Sequence, residues 1–260
     1  MSRVAIVTGA ARGIGAAVVD NLVAQGMSVV AVDRCRDDPS IPYALATKQE
    51  LDHVVSRHGS HALALVGDVR SASDMALAVE TAVEQFGGLD VGVACAGFIA
   101  GGVPLWEMDD AAYDTVIDIN LHGTRRLFDA VASRLISSPV EHGRMIAVSS
   151  AAGLIGVHNA AAYVAAKHGV IGLVKGLASD VAGTGITVNA ICPGSTDTSM
   201  LGASAKLYGL DSPEEFANHQ LIGRLLTPQE PAALIGWLAS EASSGVTGTA
   251  LPVDGGMTAT

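Results

Sequence analysis

A chain of 260 residues that is 49% hydrophobic and only 16% charged is built to bury a large core, which excludes intrinsic disorder and a coiled coil. A formal net charge of −11, with 15 lysines and arginines that form no cluster, argues against nucleic acid and anionic membranes as partners. Three cysteines far apart (Cys35, Cys95, Cys192) and eight histidines without ligand spacing offer neither a disulfide framework nor a metal site, so no metal is expected.

The first apolar run, Val4–Val7, precedes a helical pattern at Ile14–Gln25. Between them lies Thr8-Gly9-Ala10-Ala11-Arg12-Gly13-Ile14-Gly15. Glycines here let backbone approach a pyrophosphate, and the helix start behind them offers free N–H groups. The second run, Ser28–Val32, ends at Asp33, placed to accept hydrogen bonds from an adenosine ribose. Its charge repels a 2′-phosphate, so NAD is favoured over NADP, while Arg12 and Arg34 pull the other way. Fourteen residues, Arg34–Thr47, then precede the helical pattern Lys48–His58. Loops at such a position usually have about 2–6 residues. This one carries two prolines and the apolar Ile41, Tyr43 and Leu45, and it closes on Thr47 and Glu50 at capping-box spacing.

Ala62–Val66 leads to Asp68, a partner for an adenine amino group or a helix cap, and then to the helix Ser73–Phe86. Leu89–Cys95 leads to Gly97 and a long helical pattern, Ala111–Ile136. Arg144–Val148 ends in Ser149-Ser150. The next helix, Ala160–Ala182, carries Tyr163 and Lys167 four apart, on one face. Ile186–Ile191 opens a less regular stretch, where about 199–222 is expected to form a lid, with a helix start at Ser212-Pro213. Pro228–Ser240 and Thr249–Val253 close the alternation.

Short runs that are apolar at every position read as parallel strands covered on both faces, and their alternation with helices reads as a doubly wound α/β sheet. No composition break divides the chain, so residues 1–260 are expected to form one domain. The longest uncharged stretch, the 16 residues Val91–Trp106, falls short of the ~20 that span a membrane. The initial run is too short for a secretion signal, and a soluble, cytoplasmic protein is expected.

A lysine ammonium beside a phenol lowers its pKa, so that Tyr163 can take a proton from an alcohol as hydride leaves for nicotinamide. Ser150, at a strand end, would hold the substrate oxygen. Phe98, Ile99, Leu105, Trp106, Leu154, Ile155, Val157, Met200 and Leu201 are expected around the substrate, with His158 the one ionisable neighbour. That favours a neutral, hydrophobic alcohol or ketone. The helix Ala160–Ala182 is apolar nearly all round and needs cover beyond the sheet, so a homo-oligomer is expected.

TGxxxGxG, Asn120, Ser150 and the Tyr163/Lys167 pair resemble the short-chain dehydrogenase/reductase family. The likeness runs the whole length, through Asn189-Ala190-Ile191-Cys192-Pro193-Gly194, Thr196, Thr198 and Val253-Asp254-Gly255-Gly256. It implies a single Rossmann domain with a seven-stranded sheet, bound NAD(P) and a homotetramer. It implies Tyr163 as acid/base, Ser150 as donor to the substrate oxygen, Lys167 on the nicotinamide ribose and phenol, and Asn120 anchoring a relay water. The cofactor contacts on this reading are Gly9, Arg12, Gly13, Ile14, Gly15, Asp33, Arg34, Cys35, Asp68, Val69, Cys95, Ala96, Gly97, Tyr163, Lys167, Pro193, Gly194, Thr196 and Thr198.

Two departures stand out. Where the family often has Asn-Asn-Ala-Gly, this chain has Ala94-Cys95-Ala96-Gly97, and Cys95 reads as a small buried residue rather than a nucleophile. The long 34–47 segment resembles the carveol-dehydrogenase-like, mycofactocin-associated branch, in which it covers the adenosine end and holds NAD without exchange. Reoxidation by an external redox carrier is then implied. The competing enzyme reading is a 3-oxoacyl-thioester (acyl carrier protein) reductase using NADPH, against which Asp33 and the acidic charge stand. A non-catalytic NAD-sensing protein is the reading from another class, disfavoured by intact Ser150, Tyr163 and Lys167.

Overall fold

The computed structural model describes residues 2–259. Seven strands form one parallel sheet: β1 (Val4–Thr8), β2 (Ser28–Asp33), β3 (Ala62–Val66), β4 (Val91–Ala94), β5 (Arg144–Val148), β6 (Thr187–Pro193) and β7 (Ala250–Val253), in the order β3-β2-β1-β4-β5-β6-β7. The helices are α1 (Gly13–Ala24), α2 (Lys48–Ser56), α3 (Ala72–Phe86), α4 (Asp110–Ile117), α5 (Gly123–Ser137), α6 (Ala161–Asp180), α7 (Ser199–Leu207) and α8 (Gln229–Ala239).

Unbroken apolar strands bury both faces. Val4, Ile6, Val30 and Val32 pack in one core layer with Leu127 and Val131 of α5 and Val170 and Val174 of α6. The alternate residues Ala5, Val7, Val29 and Ala31 pack in the other with Val18 and Leu22 of α1 and Ile235 and Leu238 of α8. The doubly wound α/β expectation holds. Strand order reverses between β1 and β4, which opens a crevice at their carboxyl ends, where such sheets bind ligands. Among the described residues, no helix is long and apolar enough to cross a membrane.

The expected helix over 111–136 is interrupted. Between α4 and α5, Asp118–His122 winds as one π turn. The Asn120 amide donates to the Val116 carbonyl at 2.9 Å, and a side chain inserted into the ladder widens the turn. In α6, Gly169 meets Leu121 closely, whereas Gly172 and Gly176 open onto free space, so tight packing within the chain accounts for only the first.

Candidate active site

A cavity of about 690 Å³ runs along the carboxyl ends of the strands, within the range of small-molecule sites. Every expected cofactor contact lines it except Cys35. At one end the loop after β1 makes a cradle. Gly9 has φ +67, and a Cβ there would come within 2.7 Å of the Ala96 backbone. A Cβ on Gly15 would overlap the Gly9 carbonyl. Thr8, which the motif reading passed over, closes the cradle: its hydroxyl oxygen accepts from the Cys95 and Ala96 N–H groups at 3.2 and 3.3 Å. No side chain caps α1, so its first-turn N–H groups stay available to an anion. The cradle therefore fits a dinucleotide pyrophosphate.

The 34–47 segment is a strap fastened at both ends and in the middle. Arg12 donates to the Ala44 carbonyl at 2.7 Å, and Asp37 accepts from the Leu45 N–H at 2.8 Å. The Tyr43 hydroxyl accepts from the Ile99 N–H at 3.1 Å, and Ile41 is buried. Thr47 and Glu50 form the expected capping box on α2. Asp33 accepts from the Ala11 N–H at 3.0 Å and faces the cavity. Arg34, which could have met a 2′-phosphate, is paired with Asp38 and Asp68. Asp68 lies on the wall, where burial pushes its carboxyl up, but Arg70 and Arg34 hold it below its ordinary value. Cys35, with φ 55, does not line the cavity and packs on the core layer that holds Leu51.

At the far end stand Ser150, Tyr163 and Lys167, all on the wall. The strand end and helix face bring them together as the spacing predicts. The Ser150 oxygen accepts from the Ala152 N–H at 3.1 Å, and its O–H is directed to the Tyr163 hydroxyl, where a ligand oxygen would join the pair. The neighbouring Ser149 spends its O–H on the Lys167 carbonyl at 2.9 Å. The Lys167 Nζ lies 5.5 Å from the Tyr163 ring centre and donates to the Val148 carbonyl at 2.9 Å. The expected lowering of the phenol is not found. Burial pushes the Tyr163 hydroxyl above its ordinary range, with Ser150 opposing, and burial pushes the Lys167 ammonium down to about 8. A low-dielectric wall disfavours phenolate and ammonium alike.

Asn120 is fully buried and does not line the cavity. Its Oδ1 accepts from the Phe98 N–H at 3.3 Å and its Nδ2 donates to the Phe98 carbonyl at 2.9 Å. It thus fixes the backbone just beyond Gly97, behind Lys167. The Cys95 thiol is pushed up to about 12 by burial, as befits a packing residue.

Of the expected substrate wall, Phe98, Ile99, Ile155, Val157, His158, Met200 and Leu201 are present. Leu105, Trp106 and Leu154 are not: they are exposed, Trp106 to 84%. They sit on turns whose direction apolarity alone does not set. Tyr43, Tyr208, Leu210, Phe216 and His219 take part instead. The last three lie in and before the one-turn-repeated segment Pro213–His219, which folds as a 3₁₀ helix capped by Ser212. Tyr208 and His219 each meet the Phe216 ring edge-on at 6.1 Å, and the Tyr208 hydroxyl donates to the His158 carbonyl at 2.8 Å. The wall's arginines, Arg12, Arg34 and Arg70, belong to the cradle, the end of β2 and the end of β3.

Residues 9–258 match the family model described as "Enoyl-(Acyl carrier protein) reductase". The chain is 39% identical over 257 residues to the cis-4-hydroxycyclohexanecarboxylate dehydrogenase of Sinomonas cyclohexanicum, covering 99% of this chain and 97% of that one. It resembles the solved carveol dehydrogenase from Mycobacterium avium in complex with NAD, with a TM-score of 0.93 and 30% identity over 99% of this chain and 98% of that one. A similar likeness extends to an actinorhodin polyketide ketoreductase with NADPH, with a TM-score of 0.88 and 32% identity over 98% and 97% of the two chains. Whole-length similarity of this kind, on a sheet that carries the glycine cradle and the serine–tyrosine–lysine wall in register, makes the chain a member of the short-chain dehydrogenase/reductase family, oxidoreductases acting on hydroxyl and keto groups.

Proposed function

We propose that this chain is an NAD-dependent dehydrogenase that interconverts a neutral, hydrophobic secondary alcohol and its ketone, with Tyr163 as general acid/base. The observation that carries the reading is one continuous cavity with a glycine cradle at one end and Ser150, Tyr163 and Lys167 at the other. A bound nicotinamide dinucleotide supplies the hydride acceptor or donor. Gly9, Gly13 and Gly15 would hold its pyrophosphate, and Asp33 its adenosine ribose. In reduction the neutral Tyr163 O–H gives its proton to the carbonyl oxygen and is left as phenolate; in oxidation it is that phenolate, not the phenol, that takes the alcohol proton. The Ser150 O–H, beside the phenol, steadies that oxygen. Lys167 lends positive charge beside the phenol, and Asn120 keeps the backbone behind it in place. Phe98, Ile155, Val157, Met200, Leu201 and Phe216 offer an apolar surface for the rest of the substrate.

The strap, with Ile41 and Tyr43 turned inward, supports kinship with the carveol-dehydrogenase-like, mycofactocin-associated branch. A tightly kept NAD, reoxidation through an external carrier and a cytoplasmic homotetramer belong to the same proposal. The opposing reading, an NADPH-dependent 3-oxoacyl-thioester reductase, draws on the NADPH-bound ketoreductase relative. Two measurements decide. Tyr163→Phe should lose turnover by at least about a thousandfold while NAD binding persists, since the acid/base group alone is removed. Denaturing release from protein purified without added nucleotide should yield NAD; an empty protein that turns over free NADPH overturns the reading.

A further inference from the structure

Beside the expected ribose site, the chain gathers four charges. Arg34 and Arg70 line the cavity, as does Asp68, but Asp38 does not; it sits behind them, in the strap. The Asp38 Oδ2 lies 2.5 Å from the Arg34 Nη1 and 2.9 Å from the Arg70 Nη2, so one oxygen bridges both guanidinium groups. Asp68 engages the same pair, at 3.1 Å from the Arg34 Nε and 2.7 Å from the Arg70 Nη2. The Asp38 side chain is 9% exposed, the most shielded of the four. Its other oxygen is held by the Ser40 amide and hydroxyl, at 2.9 and 2.6 Å, so the strap sets its aim.

Two arginines on a cavity wall form a ready-made phosphate clamp, since planar guanidinium groups pair well with phosphate oxygens. Here their charge is already spent. Their donors point at carboxylates that a 2′-phosphate would have to displace, and Asp33 adds a further negative charge nearby. The Arg34 Nε is the exception: it is buried without an aligned hydrogen-bond acceptor, so the clamp is cancelled in charge but not fully in donors.

We infer that Asp38, a strap residue outside the cavity wall, is a determinant of cofactor selectivity: by neutralising Arg34 and Arg70 from behind, it denies a 2′-phosphorylated nucleotide the clamp these arginines would otherwise form. This rests on the NAD reading above and adds to Asp33 a second carboxylate that acts through the arginines rather than by touching the nucleotide. Asp38 is thus a positioning and neutralising residue.

The test compares nucleotide binding by calorimetry for the wild type and Asp38→Asn, each first freed of bound nucleotide, using NAD, NADP, 5′-ADP and 2′,5′-ADP. Asparagine keeps an oxygen for Ser40 and removes the charge together with the acceptor that bridges Arg34 and Arg70. The affinity ratio of NADP to NAD, and of 2′,5′-ADP to 5′-ADP, should each rise about tenfold, the scale of one added charge-assisted phosphate contact. The gain should shrink as salt is raised, because the restored clamp is electrostatic. Adding Arg70→Met to Asp38→Asn should cancel most of the gain. A merely structural Asp38 would weaken all four ligands together; ratios that stay put overturn the inference while leaving the NAD reading intact. A wild type that binds NADP as tightly as NAD overturns the NAD reading itself.

Discussion

Lys167 should cost this protein stability at neutral pH. Its ordinary value is 10.5, and burial pushes it down to about 8, so the folded chain binds fewer protons than the unfolded chain between those values. Stability contributed at this site therefore rises with pH across that window, and below it the folded state carries the full penalty of a buried ammonium. At about 1.4 kcal/mol per pH unit, that penalty is about 3 kcal/mol at pH 7. Lys167→Met removes it, keeps the volume, and gives up one hydrogen bond to the Val148 carbonyl, a loss of about 1–2 kcal/mol. The variant should be more stable than the wild type by about 1–2 kcal/mol at pH 7, near 2–6 °C in melting temperature for a chain of this size. It should also be catalytically dead. The assay is denaturant unfolding of both proteins, freed of nucleotide, at several pH values. The stability difference should shift toward the wild type by about 2–3 kcal/mol between pH 7 and pH 10, where the wild-type lysine is neutral in the folded state. A difference that stays flat across that range would refute the reasoning. The ammonium is retained, on this view, for the chemistry at Tyr163 rather than for the fold.

Gly9→Ala forces a side chain onto φ +67 and a Cβ to 2.7 Å from Ala96, so it should lose more than about 2 kcal/mol of stability together with NAD binding. A melting temperature within a degree of wild type would show the cradle to be looser than its geometry implies. Thr47→Ala breaks the capping box that ends the strap and should cost about 1 kcal/mol, seen as faster hydrogen exchange at the start of α2. Protection unchanged there would mean that Arg12 and Tyr43 hold the strap alone. Trp106→Ser, outside the cavity and 84% exposed, should leave kcat/KM within about twofold, whereas Phe216→Ala should raise KM about tenfold by removing an apolar wall. The reverse pattern would relocate the substrate.

Features of short range were legible in the sequence. The strand pattern, the Gly9/Gly13/Gly15 spacing, the Thr47–Glu50 box and the four-residue step from Tyr163 to Lys167 each depend on contacts within one turn or one strand. All four reappear in the structure with the expected geometry. Much of the cavity wall was likewise readable because it follows strand ends, which a doubly wound sheet lines up at one edge.

Which way a loop side chain faces was left to tertiary structure. A left-handed turn at Cys35 takes that side chain off the wall, and Tyr43, eight residues on, enters the cavity because the Ile99 N–H meets its hydroxyl. Leu105, Trp106 and Leu154 are as apolar as Met200 or Phe216, yet only the latter two are folded over the crevice. Asn120 occupies a π turn because its amide reaches Val116 and Phe98 together. Arg34 reads as a phosphate ligand until Asp38 and Asp68 are brought against it. The sequence determines each element and its spacing, since those are set by neighbours along the chain. Charge balance, side-chain direction and the raised pKa of Tyr163 come from groups distant in sequence, which only the folded core brings within reach.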